Sequence, residues 1–203
     1  MNSQIENAQR DAAARLLGYA NQAKQTIAAL PDLTKDQIDQ ANADIDAKVK
    51  TWTNNINQAQ SIADVQTALA NGEKDINNTS LIAQGQSQQT VTKEKNAANS
   101  VIDDAAAKAK AAIDALNPLS DKADREAQVD KDAAAAKAAI AKATNATDID
   151  TAQKAGTDTL NTDTASAQLK STKEAADAEL TKYGQDAKDK IAAMPDLTPD
   201  QIK

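Results

Sequence analysis

The chain has 203 residues and a net charge of −7, lacks Cys, His and Phe, and carries only Trp52, Tyr19 and Tyr183 as aromatics. Alanine fills 46 positions while Leu, Ile and Val together number 31, too few large side chains for an ordinary globular core but enough for narrow helical bundles with alanine-lined seams. The same inventory supplies no thiolate, no imidazole base and no zinc site of the usual kind, so the expectation is no enzyme, no catalytic residues, no cofactor and no metal. An isoelectric point near 4.7 with scattered lysines argues against nucleic-acid binding. The sequence holds no apolar run long enough for membrane insertion. The opening Met1-Asn2-Ser3-Gln4 does not resemble a signal peptide.

In chain order, the first helix has a seam with spacings of four and three: Ile5, Gln9, Ala12, Leu16, Ala20, Ala23, Ile27, Leu30. Its polar second position is expected where the seam frays or meets solvent. The turn Leu30-Pro31-Asp32-Leu33-Thr34 leads into a second helix, opened by the capping box Thr34 and Gln37. The second seam is Ile38, Asn42, Ile45, Val49, Trp52, Ile56, Ala59. A short third helix is expected after the cap Ser61, with Val65, Leu69, Gly72 and Ile76 on its seam. The polar stretch 77–90 reads as a looser linker.

The pattern then recurs. The first-helix seam returns as Val91, Lys95, Ala98, Ile102, Ala106, Ala109, Ile113, Leu116, with Ile113 lying 86 residues after Ile27. The turn Leu116-Asn117-Pro118-Leu119-Ser120 follows, then a second helix expected from Ser120 with Val129, Ala133, Ala136, Ile140 and Ala143. A third helix after Asn145 carries Ile149, Gln153, Gly156 and Leu160, a step of 84 from the first copy. A further first helix brings Leu169, Lys173, Ala176, Leu180, Gly184, Ala187, Ile191 and Met194, 78 residues on, and Thr198-Pro199 with Gln201 opens another second helix. Such phased repetition predicts an all-α fold of tandem three-helix bundles stacked into an elongated rod. The spacing predicts repeats at 1–80 and 81–163, with 164–203 an incomplete third. The seam of that third copy should be an exposed apolar stripe, except where its first part docks on the second repeat.

Ala-Lys-Ala-Ala-Ile-Asp-Ala-Leu-Asn-Pro-Leu-Ser at 109–120 resembles the domain-of-unknown-function repeat of wall-anchored surface proteins in staphylococci and lactobacilli, including giant extracellular-matrix-binding adhesins. Ala-Lys-Ala-Ala-Ile-Ala-Lys-Ala-Thr at 136–144 and Asp-Ile-Asp-Thr-Ala-Gln-Lys-Ala-Gly-Thr at 148–157 carry the same likeness, which runs over about residues 8–203. The resemblance implies a secreted, cell-wall-anchored, extracellular protein of Gram-positive bacteria with a stalk or adhesion role.

The expected structural core is Leu16, Ile27, Leu30, Ile45, Trp52, Ile56, Val65, Ile76, Ile102, Ile113, Leu116, Val129, Ile140, Ile149 and Leu160. Trp52 lies in a seam, so it reads as packing rather than a ligand contact. Tyr19 and Tyr183 hold corresponding positions beside their seams, with rings resting there and hydroxyls in water. The pairs Asp44/Asp46, Asp103/Asp104, Asp130/Asp132 and Asp148/Asp150 match no calcium loop and read as solvated acidic faces. Gly72 and Gly156 each cost about 1 kcal/mol against Ala in a helix interior, so their recurrence points to close approach of a neighbouring helix. The leading functional expectation is a spacer whose partners are neighbouring repeats. The alternative is a binding module in which one helical face recognises a host matrix or serum protein, but such faces favour exposed aromatic and Arg anchors that are scarce here.

Overall fold

The computed structural model describes residues 2–194, and it is all-α among them. Five helices follow in order: α1 (Asn2–Ala28), α2 (Lys35–Gln58), α3 (Ile62–Asp114), α4 (Lys122–Lys142) and α5 (Ala146–Ala192). The chain divides into two compact units. The first holds the residues up to Asn96 with Thr144–Thr147, and the second holds Ala97–Ala143 and the chain from Asp148 onward.

In the first unit α1, α2 and the first part of α3 share one core. Leu16, Ile27, Ile45, Ile56 and Ile76 are fully buried and Val65 nearly so, with Leu30, Leu33, Ile38, Val49 and Trp52 packed against them half-buried. Alanine lines the gaps at Ala12, Ala20, Ala23, Ala41, Ala68 and Ala83. Thr34 caps α2 by accepting from the Gln37 N–H at 3.2 Å, while Gln37 Oε1 accepts from the Thr34 N–H at 2.9 Å. Ser61 caps α3 in the same manner, accepting from the Asp64 N–H at 3.1 Å. Gln9 is not a frayed seam position. Its side-chain amide donates to the Asn57 and Ala59 carbonyls at 3.0 and 3.1 Å, supplying donors to carbonyls that the end of α2 leaves open.

The linker expected at 77–90 is helix. α3 runs unbroken for 53 residues. The third helix of the first repeat is therefore not short. Thr79, Ser80, Ala83 and Ser87 carry its buried face to the far end of the α1–α2 hairpin. There the Ser87 hydroxyl donates to the Pro31 carbonyl at 2.6 Å. Small residues at the seam let the helix lie close, and their polarity made the stretch resemble a linker.

In the second unit the buried residues include Ala98, Ile102, Ala106, Ala109 and Ile113 from α3, Val129, Ala133, Ala136 and Ile140 from α4 with Ala143 at its C-cap, and Ile149, Leu160, Ala167 and Ser171 from α5. Leu116 is half-buried at the end of the seam. The α3–α4 turn departs from the sequence reading. α4 starts at Lys122, with Asp121 at the cap position making no side-chain capping bond. Ser120 instead turns to α5, its N–H and hydroxyl donating to the Glu174 carboxylate at 2.9 and 2.5 Å. Leu169 also lies off the seam and is 57% exposed, because α5 keeps its third-helix face through Ser171. From 175 to 194 every residue of the chain is exposed. The expected opening of another second helix at Thr198 lies outside the described residues.

Candidate functional site

The most organised polar cluster of the first unit surrounds Trp52. Its seam position half-buries the ring and brings the indole N–H within 3.0 Å of Asp75 Oδ2 on α3. Lys48, one turn before on α2, donates to the Asp75 carbonyl at 3.0 Å and to the Thr79 hydroxyl at 2.7 Å, and its ammonium lies 3.2 Å from Asp75 Oδ1. The Trp52 N–H bond holds the Asp75 carboxyl below its ordinary value, with Lys48 adding to the effect and burial opposing it. The cluster joins α2 to α3.

A step of 84 residues places Asp132, Ala136, Thr159 and Asp163 of the second unit at the positions of Lys48, Trp52, Asp75 and Thr79. A cation facing a hydroxyl has become two carboxyls facing each other. Asp163 Oδ2 is buried without a donor. Burial first, and then the Asp132 carboxylate, push the Asp163 carboxyl above its ordinary value, with Arg125 working the other way. Asp132 accepts from the Gln128 amide at 2.7 Å.

Beside this pair lies a salt-bridge network. Asp121 accepts from Arg125 on α4 and from Lys170 on α5, both at 2.9 Å, and Arg125 also reaches the Ser166 hydroxyl at 3.1 Å. Lys170 holds the Asp121 carboxyl below its ordinary value, with Arg125 assisting, while the Ser120 hydroxyl does the same for Glu174. The first-unit residues 84 positions earlier are Gln37, Ala41 and Gln86. They line an open groove of about 300 Å³ between α2 and α3, with Asp36 and Asp44 also on its lining. The groove has neither an aromatic wall nor a buried charged group to orient a ligand.

The two glycines sit at helix–helix contacts. A Cβ on Gly72 would stand 2.9 Å from Leu16 Cδ1 and 3.0 Å from Trp52 Cβ. On Gly156 it would stand 2.4 Å from Ala136 Cβ and 2.9 Å from Ile102 Cδ1. Tyr19 packs half-buried against the first core, while its counterpart Tyr183 is 69% exposed. Several of the paired aspartates serve between helices. Lys24 meets Asp46 at 2.5 Å, and the corresponding pair Lys110 and Asp130 meets at 2.9 Å. Lys137 on α4 pairs with Asp103 on α3, while Gln40 donates to Asp44 within α2 at 2.9 Å. Among the described residues no cluster of three or more carboxylates could hold a metal ion. No helix among them is long and apolar enough to cross a membrane.

The sequence reading missed the Asp132–Asp163 pair and the Trp52–Asp75 bond. The partners are 31 and 23 residues apart, and only the rotation of each helix brings them together.

No curated protein and no solved structure matches the chain. A family model does match, over the helices that share the first core. The model is that of DUF1542, a Domain of Unknown Function, and it matches residues 8–84.

Proposed function

We propose that the chain is a non-enzymatic repeat segment of a bacterial cell-surface protein, built as tandem three-helix bundles stacked into a rod. It acts as a stalk or spacer that projects an adhesive domain from the cell wall. The observation that carries this reading is the continuity of α3, whose 53 residues join the third helix of one repeat to the first helix of the next without a flexible break. A helical junction resists bending where a Gly/Ser-rich linker would not. The long α5 continues in the same way from the third-helix face into another first-helix seam. The scarcity of exposed aromatic and Arg anchors supports spacing over recognition.

The test has two parts. Small-angle scattering on the full chain is expected to give a pair-distance distribution with a long tail, several times longer than the cross-section. Placed between a surface anchor and a terminal binding domain, the segment is expected to set the reach of that domain while leaving its affinity unchanged. A compact scattering profile, or an affinity that falls when surface residues of one repeat are altered, would overturn the spacer reading. The second of these results would favour a binding module.

A further inference from the structure

Three copies of one seam lie along the chain: Leu16, Ala20, Ala23 and Ile27 on α1, Ile102, Ala106, Ala109 and Ile113 on α3, and Leu180, Gly184, Ala187 and Ile191 on α5. Leu16, Ile27, Ile102 and Ile113 have no exposed surface. Their counterparts Leu180 and Ile191 are 71% and 41% exposed, with Tyr183 and Met194 bare beside them. A Cβ added to Gly184 would meet nothing within 4 Å.

We propose that this face of α5 is a docking surface for a helical hairpin of the same repeat class, a pair of amphipathic helices equivalent to α2 and the first part of α3. Two observations identify the occupant. In each buried copy the seam is covered by a second helix, through Ile45 and Ile56 or Val129 and Ile140, and by a third, through Val65 and Ile76 or Ile149 and Leu160. The side chains on α5 recur in the same order and spacing, so the surface has the shape that such a pair fits. The second observation is charge. Lys24 and Lys110 flank the buried seams and each pairs with an aspartate of its second helix, Asp46 or Asp130. The third lysine in this register is Lys188. Its partner is the acid that an incoming second helix carries at the same place. Tyr183 then takes the half-buried position of Tyr19.

This inference rests on the tandem-repeat part of the reading above and not on the spacer role. Separate melting of the two units tests that part with no ligand present.

The test uses the full chain and a synthetic peptide of residues 34–90, which carries Asp46 and the covering faces of both helices. Titration by calorimetry is expected to show one site per chain. Leu180→Asp with Ile191→Asp should weaken binding at least about 20-fold, the order expected from losing two buried aliphatic anchors. Both substitutions fall on exposed positions, so the two units keep their folds. Lys188→Glu should weaken binding several-fold, and a peptide carrying Asp46→Lys should restore it. Binding that survives Leu180→Asp with Ile191→Asp would overturn the proposal, because the peptide would then be exchanging into the first unit. Absence of binding at about 1 mM peptide, with both units still melting separately, would overturn this inference alone. Self-association through the same face that peptide cannot displace would make a second copy the occupant.

Discussion

The two units are built on the same seams, yet they join α2 to α3 and α4 to α5 by opposite means. The first unit fills the space with the ring of Trp52 and ties it to Asp75, with Lys48 bridging to Thr79. The second unit has Ala136 there, so Gly156 comes close enough that an added Cβ would stand 2.4 Å from the Ala136 Cβ. Its polar position holds two facing acids in place of a lysine and a hydroxyl. The repeat thus preserves spacing and helix faces, while the contents of each helix–helix contact vary in size and charge. Fold depends on the first, and the response to pH and substitution depends on the second.

The largest effect that separates the units comes from a charge in one core. Ile27→Asp should cost at least about 4 kcal/mol and unfold the first unit, and Ile113→Asp should do the same to the second. Each should leave the other unit largely helical, as near-neighbour coupling in repeats allows. Circular dichroism with thermal melting would show half the helical signal lost in each case. Loss of all helix from either substitution would mean that the units fold as one.

The glycines come next. At Gly156→Ala the neighbour is a Cβ fixed to the backbone, so the helices must part, and a net loss of about 2 kcal/mol is expected. At Gly72→Ala the nearest atom is the end of the Leu16 side chain at 2.9 Å, and the nearest backbone-fixed Cβ, that of Trp52, stands at 3.0 Å rather than 2.4 Å. There the gain in helix propensity offsets part of the crowding, and the net loss should be about 1 kcal/mol. Denaturant melts of the two variants measure the difference. Equal losses would remove the case for closer packing in the second unit.

Removing the indole N–H by Trp52→Phe keeps most of the ring and should cost about 1 kcal/mol, within the range for a partly exposed bond to a charged acceptor. The loss should appear at neutral pH and shrink in acid as Asp75 takes up its proton.

The pH responses of these two acids have opposite sign. Asp163 has a raised carboxyl, so its contribution is fully present below the ordinary value of 3.8 and is lost as pH rises through the raised value. Asp75 has a lowered carboxyl, so its contribution is present above 3.8 and is lost as pH falls through the depressed value. Between neutral pH and about 4 the second unit should gain stability from Asp163 while Asp75 costs the first unit nothing. Below that range Asp75, Asp121 and Glu174 all lose their contributions. Asp163→Asn should raise the melting temperature of the second unit at pH 7 and remove its gain on mild acidification. A melting temperature that falls instead would contradict the raised Asp163 carboxyl. The smallest effect is expected from Lys24→Ala, since a largely exposed ion pair contributes at most about 1 kcal/mol.

The helix-one and helix-two faces were legible because aliphatic residues mark them at spacings of four and three, from Leu16 to Ile27 and from Ile45 to Ile56. The first turn was legible from Pro31 and the caps at Thr34 and Ser61, while at the Pro118 turn the expected cap Ser120 bonds Glu174 instead. The far half of each third helix was not. Ser80, Ala83 and Ser87 are small and partly polar, and nothing in their composition separates a closely packed seam from a linker. The interval from Ile76 to Val91 differs in length from that between Leu160 and Leu169. In the structure both intervals are helix, and Leu169 does not occupy the place of Val91. The site contacts were illegible for another reason: Trp52 with Asp75, and Asp132 with Asp163, meet only through the rotation of separate helices.

The continuity of α3 carries the spacer reading, and hydrogen exchange at the amides of residues 77–95 tests it most directly. Protection there comparable to that of Val65–Ile76 is expected, because the same helix carries both stretches and its buried face extends to Ser87 and resumes at Ala98. Exchange at the rate of an unstructured chain across 77–90, with protection kept on either side, would make the stretch a flexible linker and contradict the rod.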